Sequence, residues 1–343
     1  MPPSPTALRA GSHAPHLVGL KPVAAQAAQA AQAAIAALAA LAALASLVAL
    51  PLLGAGCSIR SYATGALADT FAGSGTGYAS DDDPELVAAA VPFALKTMEQ
   101  VAAEQPRHVG LATALASGFA AFAYAFVEQE ADVTEDKDVA RAKPLRLRAR
   151  KLELRARDHA LRGLEIGHPG ITAAMMAEGR GTESRRGELL AAMRPGDVPL
   201  LYWAAASWAL AIGSSKAEMR LVGQLGLVEA LMSRAAALDP DFDEGSIHEF
   251  YVSYEGGRDG GAKAARDHLD RALALSKATK LGVLVSFAEA VDVTSQNRAE
   301  FQSLLGRVLA FDVDSAPAHR LANVVAQRRA RWLLSRIEEL FAE

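Results

Sequence analysis

The chain has only one cysteine, Cys57, and almost no segment with the pattern of a β-strand. A single cysteine excludes an intramolecular disulfide. From residue 84 to the C-terminus, apolar residues recur at helical spacings instead of alternating with polar ones, which argues against a sheet-based fold. Stability must therefore come from packing, and a chain of 343 residues can bury enough apolar surface for this.

Motifs for catalysis and metal binding are missing as well. His248 and Glu249 would begin a zinc-protease motif, but Val252 stands where the second histidine is required. No Gly-x-Ser-x-Gly nucleophile elbow is present, and the glycines of residues 73–77 are not followed by the Lys-Ser/Thr of a phosphate-binding loop. The aspartates at 81–83 lack the spaced oxygen ligands of a Ca²⁺ site. We therefore expect no enzyme, no metal site and no resident cofactor.

The N-terminal segment has the composition of an export signal. Residues 1–56 contain no acidic residue, and their only basic residues are Arg9 and Lys21. An alanine- and leucine-rich run follows, and small residues stand directly before Cys57. A basic start, an apolar core and small residues before a cleavage point are typical of a signal peptide. A cysteine just after the cut is the residue that receives diacylglycerol through a thioether, so we predict a lipid-modified Cys57.

This interpretation divides the chain into a signal peptide (1–56), a lipidated N-terminus and linker (57–83) and a folded domain (84–343). The lipid would hold the protein on the periplasmic side of a bacterial membrane. The outer membrane is favoured, because Ser58 stands where inner-membrane lipoproteins often have aspartate. Alternatively, residues 33–56 stay as an uncleaved membrane helix or are merely alanine-rich low complexity. No other segment of the mature chain is predicted to span a membrane.

The charge balance argues against nucleic acid as a partner. Removal of residues 1–56 would leave 33 basic and 39 acidic residues, a net charge near −6. Residues 137–162 are an exception, with ten basic residues against three acidic ones. This run is open to two interpretations, a contact with nucleic acid or anionic lipid and a solvated helix face, and the second is favoured because charge runs usually face water. Export would also remove most nucleic-acid partners.

The domain after residue 83 is predicted to be all-α and repetitive. Asp83 and Pro84 have the pattern of a capped helix start. The segment 156–164 (ARDHALRGL) recurs as 265–273 (ARDHLDRAL), 109 residues later, close to three units of 36. Ala235, Ala272 and Val308 hold equivalent small positions on the second helices of successive pairs. This spacing resembles the tetratricopeptide repeat, a helix–turn–helix unit of about 34 residues.

Six runs in order along the chain carry a more specific resemblance. They are 81–87 (DDDPELV), 92–96 (PFALK), 157–165 (RDHALRGLE), 197–203 (DVPLLYW), 247–251 (IHEFY) and 323–334 (NVVAQRRARWLL). Together they resemble the T-component (TatT) of tripartite ATP-independent periplasmic (TRAP) transporters, bacterial lipoproteins with a tetratricopeptide-like fold.

The resemblance implies an accessory protein of a transporter and not a catalyst. It implies association with the periplasmic substrate-binding P-component, self-association as a trimer, and a hydrophobic or organic-acid ligand. A different hypothesis keeps the same repeats but makes the protein a scaffold for cell-envelope assembly, unconnected with transport. Both functions use an extended concave surface, which stacked helix pairs provide.

The first helices of tetratricopeptide pairs line the concave face, and this places candidate contacts for a ligand or partner. On two such helices they are Tyr202, Trp203, Trp208, Tyr251 and Tyr254. Core packing is the competing explanation, and it is favoured for the two tryptophans. The last helix, from about Pro317, is predicted to cap the array. Its residues Arg328, Arg329 and Trp332 are further candidates, because arginines there can pair with acids in the cleft or on a partner.

Overall fold

The computed structural model of the protein describes residues 75–177, 182–215 and 217–342. Cys57, the predicted signal peptide and most of the predicted linker lie outside the described residues. Every regular element in the described ranges is a helix and none is a strand, so the predicted all-α fold class is confirmed.

The helices follow one another with short connections. They are α1 (Gly75–Ala79), α2 (Pro84–Glu104), α3 (Val109–Phe122), α4 (Gln129–Glu135), α5 (Val139–Gly167), α6 (Ile171–Met176), α7 (Thr182–Ala191), α8 (Val198–Gly213), α9 (Met219–Val222), α10 (Leu225–Leu238), α11 (Phe242–Gly256), α12 (Ala262–Leu275), α13 (Gly282–Phe287), α14 (Arg298–Ala310), α15 (Arg320–Ser335) and α16 (Ile337–Leu340). A π-helical segment, Ala123–Glu128, joins α3 to α4, and a second one, Ala288–Asp292, continues α13. Helix α1 lies within the predicted linker.

Polar side chains start several of these helices. The Asp83 carboxylate accepts a hydrogen bond from the Leu86 N–H at 2.9 Å, as the Asp-Pro pattern predicts. Asp138 accepts one from the Arg141 N–H at 3.0 Å and begins α5 in the same way. Each bond satisfies one of the backbone N–H groups that a helix start leaves without a partner.

The helices form two rows. The inner row consists of α3 with α4, then α8, α11, α13 and α15, and its members contact one another in that order. The outer row consists of α5, α10, α12 and α14, and each of these packs against the inner helices on both sides of it. This arrangement of hairpins buries apolar residues in three successive clusters along the array. It is the organisation of a helical repeat array, in which each unit packs on its neighbours.

The residues that suggested a repeat occupy equivalent places. Ala235, Ala272 and Val308 are buried on α10, α12 and α14, the outer helices of three successive hairpins. The two copies of the ARDH segment both lie on outer helices, α5 and α12. Between them stands a shorter pair, α6 and α7, which contact each other. The hairpin array is thus observed, while its identity as tetratricopeptide repeats stays a prediction.

The last long helix closes the array as well as covering its end. Helix α15 begins at Arg320, after a 3₁₀ turn at Pro317–His319, and contacts α14 and α13 as a capping helix does. It also contacts α1 and α2 at the other end of the array. The Arg320 guanidinium donates to the Ser80 carbonyl at 2.9 Å, and Arg328 pairs with Glu85 at 2.6 Å. The sequence predicts the cap but not this closure.

The sequence predicts no further membrane-spanning segment in the mature chain, and by length and composition this prediction is wrong. Three helical stretches of the described chain are long and apolar enough to cross a membrane by length and composition, namely Pro84–Glu104, Val109–Glu135 and Met219–Leu238. All three are part of the packed array. Buried residues make up only 22%, 39% and 28% of their apolar windows, so helix–helix contacts within the array account for part of their apolar character and not for all of it.

Candidate functional site

Closure of the array brings polar side chains of four inner-row helices together, and we call them the inner cluster. Its members are Tyr124, Glu128, Asp132, Glu249, Glu289 and Arg329. The first three follow one another at intervals of four residues, which places them on one side of the helical stretch from α3 to α4. Glu128 ends one π-helical segment and Glu289 lies in the other. Single-turn π-helical segments are frequent at functional sites.

Arg329 holds the cluster together from α15. Its guanidinium donates to an Asp132 carboxylate oxygen at 2.5 Å and to a Glu289 carboxylate oxygen at 2.6 Å. The three side chains are only 13%, 15% and 28% exposed. Burial alone would lower the pKa of Arg329, but the two carboxylates raise it above its ordinary value. Because charge-assisted bonds in a partly buried place are strong, this triad fixes α15 against α4 and the second π segment.

Glu128 is a half-buried acid for which the described structure shows no cationic partner at hydrogen-bond distance. One of its carboxylate oxygens is buried and has no hydrogen-bond partner in the described structure. Burial, together with the negative charges of Glu153 and Asp132, raises the pKa of Glu128 to about 8. Glu153 on α5 is 0% exposed, and burial raises its pKa too, although its hydroxyl partner Ser214 at 2.8 Å opposes the shift. Glu128 is therefore mostly protonated at neutral pH.

The cluster borders open space. Tyr124 is 39% exposed, although the surrounding protein desolvates its phenol and raises its pKa. The inner row of a hairpin array lines its concave side, so we expect this exposed phenol to face that concave surface, which we call the cleft. Glu249 of α11 faces the same region, since its charge acts on Tyr124 and on Tyr202. Burial raises the pKa of Glu249, with the Lys280 charge acting against the shift.

This geometry brings several hydrogen-bonding groups together at one place. Protonated carboxyls and a phenol supply hydrogen-bond donors and acceptors, and Arg329 supplies positive charge that is already paired. Raised pKa values keep the cleft from carrying the full negative charge of its acids. An uncharged or weakly acidic ligand would therefore not be repelled.

Two of the aromatic candidates stand next to this region. Tyr202 on α8 is half-buried and packs on Trp203 and on Phe242, with ring centroids 5.0 Å and 5.3 Å apart. The Glu249 and Asp243 charges act on its phenol, whose pKa burial raises. Trp203 is half-buried between the first and second apolar clusters of the array. Tyr202 thus extends the cleft from the inner cluster along α8.

Trp208 lies in the core instead. It is 0% exposed, its indole N–H donates to the Gln224 side-chain oxygen at 3.0 Å, and the Arg157 guanidinium covers its ring at 4.7 Å. It cannot touch a ligand in the cleft. The alternative interpretation, core packing, describes its position.

Tyr251 and Tyr254 face away from the inner cluster. Tyr251 stacks on His268 of α12 with a centroid distance of 4.9 Å, and His268 in turn lies 2.8 Å, nitrogen to nitrogen, from His248. Burial lowers the pKa of both histidines. The Tyr254 hydroxyl is hydrogen-bonded to Glu229 of α10. The two tyrosines therefore pack between α11 and the outer helices, and the structure does not bring them together with Tyr202.

The remaining candidates form the closing contact. The Trp332 indole N–H donates to an Asp136 carboxylate oxygen at 2.8 Å, and the guanidinium groups of Arg329 and Arg336 lie 4.1 Å and 4.8 Å from its ring centroid. Arg328 is exposed and pairs with Glu85. Of the three, only Arg329 belongs to the inner cluster.

The acids of the inner cluster were missed at the sequence level. Glu128 and Glu289 interrupt apolar helical runs, and a lone acid in such a run is a signal for a buried polar site. Glu249 stands in the sequence only as part of an incomplete zinc motif. What the pattern does not reveal is that these acids meet one arginine far along the chain.

Comparison with known proteins gives two matches. The family model of the TRAP transporter T-component matches residues 80–341. A protein of Treponema pallidum (strain Nichols), described as uncharacterized, is 28% identical over 310 residues, which cover 85% of this chain and 95% of the relative. The family match includes all members of the inner cluster and the whole of α15.

Proposed function

Since the chain belongs to the TRAP transporter T-component family, we propose that it is the lipid-anchored periplasmic subunit that docks the transporter's substrate-binding P-component. Family membership itself makes it a membrane-associated accessory component of a transporter. The lipid on Cys57, the periplasmic side and the P-component as the contact are the proposed parts. The observation that carries the proposal is the family match over residues 80–341, which favours transport over a general envelope scaffold.

The cleft beside the inner cluster is proposed to hold the ligand of the P-component. Tyr124 offers an accessible phenol there, and Tyr202 offers an aromatic wall with apolar neighbours. The raised pKa values of Glu128 and Glu249 reduce the negative charge that a carboxylate ligand would meet. These features support the hydrophobic or organic-acid ligand that the family resemblance implies.

Self-association is part of the same proposal, with the trimer expected from the resemblance. Helix α2 offers an apolar surface for it, because Leu86 and Phe93 are 60% and 79% exposed on one side of that helix. Exposed apolar residues at helical spacing are common at sites of protein contact.

One experiment tests the anchor and the docking separately. The full chain and its Cys57→Ala variant are produced in a Gram-negative bacterium with labelled palmitate, and the P-component of the same transporter is added to each purified protein. We expect the natural chain to carry label, to fractionate with membranes and to bind the P-component at micromolar concentration. Cys57→Ala should lose the label and the membrane fraction but keep the binding, because the anchor lies outside the folded array.

A solute-binding protein from an unrelated transporter serves as the control and should not bind. Label on Cys57→Ala would remove the proposed anchor. Absence of binding to the P-component by the natural chain would remove the docking function, even if the anchor is present.

A further inference from the structure

Helix α5 carries a line of exposed cations that the proposed function does not use. Arg141, Arg148, Arg155 and Arg162 follow one another at seven-residue intervals, and Lys151 lies on the same side; we call these five residues the α5 stripe. All five are exposed. Seven residues make almost two helical turns, so the stripe runs along one side of the helix for about 30 Å. It lies on the outer row and does not face the inner cleft.

The stripe is largely without acidic partners. In the described part of the chain, only Arg155 among the five makes an ion pair, with Glu99 at 2.5 Å. Three other basic residues of the helix, Arg146, Arg150 and Arg157, each pair with an acid. The helix has nine basic and three acidic residues, although the whole chain has a net charge of −4. Positive charge is thus concentrated on its solvent side.

A pocket within the stripe places three of these cations together. Its volume is about 390 Å³, and Lys151, Arg155 and Arg162 line it with Leu154, Asp158 and Glu99. The Arg155 guanidinium makes two hydrogen bonds of 2.5 Å to Glu99. Three cations and two carboxylates line this depression, so it keeps a net positive charge that favours a phosphate group.

Buried His159 orients the third cation. The Arg162 guanidinium donates to His159 Nδ1 at 2.7 Å, and His159 Nε2 lies 3.0 Å from the Glu99 carboxylate. Burial lowers the pKa of His159 to about 4, so the ring is neutral at pH 7 and its Nδ1 can accept from Arg162 while its Nε2–H donates to Glu99. Arg162 is therefore held beside the pocket by a neutral side chain, and its positive charge is not paired with a carboxylate.

We propose that the α5 stripe binds the phosphate headgroups of an anionic phospholipid bilayer. A straight line of cations on an outer helix fits a planar charged surface better than the concave or irregular surface of a protein partner. Leu147, 49% exposed next to Arg148, is an apolar side chain placed to enter the interface. Each cation near such a surface strengthens binding about fivefold, from about 1 kcal/mol per residue. The stripe would thus hold the array on its side against the membrane.

Lysine labelling of the full chain tests the proposal. The anchored protein is reconstituted in vesicles of phosphatidylcholine, with or without phosphatidylglycerol, and treated with a water-soluble acetylating reagent. We expect Lys151 to react at least about fivefold more slowly when phosphatidylglycerol is present, and high salt to restore its rate because the contact is electrostatic. Lys263, with an 86% exposed side chain on α12, is the internal control and should react equally in both vesicles.

Charge reversal supplies the second arm. Arg148→Glu with Arg162→Glu should abolish the difference for Lys151, whereas Arg307→Glu with Arg331→Glu makes the same charge change elsewhere and should preserve it. Unchanged thermal unfolding of both variants shows that they fold. Equal reactivity of Lys151 in the two vesicles would overturn the proposal. So would protection of Lys151 by the P-component in neutral vesicles, or by free inorganic phosphate, without anionic lipid. Equal reactivity in the two vesicles leaves docking of the P-component unaffected, whereas protection by the P-component would support docking, at the stripe.

Discussion

At the scale of single residues, the half-buried acid Glu128 makes the stability of the protein depend on pH. An unpaired carboxylate costs free energy when it leaves water, and here Glu153 and Asp132 add negative charge nearby. The folded protein therefore prefers the protonated form. Between its ordinary pKa of 4.5 and the folded value of about 8, the folded state binds more protons at this site than the unfolded state does. Stability from this group must fall as the pH rises through that interval.

Replacing Glu128 by Gln should remove this pH dependence. The amide cannot ionise, so Glu128→Gln should unfold much like the natural chain at pH 5 and be more stable by about 3–4 kcal/mol at pH 8. Urea denaturation at pH 5 and at pH 8 measures the free energy of unfolding of the variant and of the natural chain. Glu130→Gln is the matched control, since Glu130 is exposed on the same helix. A Gln variant that is no more stable than the natural chain at pH 8 would contradict the buried-acid interpretation.

At the scale of helices, the π segments and the close crossings determine where the inner cluster lies. The first π segment carries Tyr124 and Glu128 of the cluster, and the second carries Glu289. The second one approaches α11 at Gly256, where a Cβ would lie 2.8 Å from the Ala290 Cβ and 2.8 Å from a Val291 methyl. Ala290 cannot move away without its backbone. Glycine at 256 therefore permits the approach of α11 to the segment that holds Glu289.

Two glycine-to-alanine changes should have opposite effects. Gly256→Ala should destabilise the protein by about 1–3 kcal/mol through overpacking. Gly306→Ala, on the outer helix α14 where a Cβ would meet nothing within 4 Å, should stabilise it by about 0.5–1 kcal/mol. Thermal unfolding of both variants under one condition gives the comparison. If both variants were stabilised, the contact between α11 and the second π segment at Gly256 would not be tight.

At the scale of the whole molecule, the closure by α15 turns an open array into a ring of contacts. Arg329 reaches acids on α4 and on the second π segment, 197 and 40 residues away along the chain. Trp332 and Arg336 both reach Asp136 beside it. These contacts fix α15 beside α4 and the second π segment, so the geometry of the inner cluster depends on them.

Neighbouring arginines test the closure. Arg329→Met should cost about 3 kcal/mol, because it leaves Glu289 without its Arg329 partner in a partly buried place. Asp132 keeps its pair with Arg146. Arg328→Met should change stability little, since its pair with Glu85 is exposed and screened. Urea denaturation of both variants measures the difference. Equal effects would mean that the buried triad does not hold the two ends together.

Much about this protein follows from its sequence because the relevant signals are local. Helical spacing of apolar residues, the Asp83-Pro84 cap and the small residues at 235 and 272 depend only on near neighbours in the chain, and they correctly predict an all-α hairpin array. The order of six short runs predicts the family that the comparison shows. The predicted lipid on Cys57 lies outside the described residues and stays a prediction.

Tertiary structure alone decided which side chains share a site. Trp208 and Tyr202 stand on the same helix with similar neighbours, yet one is in the core and the other beside the cleft. Asp132 and Arg329 meet because small rotations between successive hairpins add up until the ends of the array touch. That sum depends on the packing of every hairpin, and no local pattern in the chain contains it.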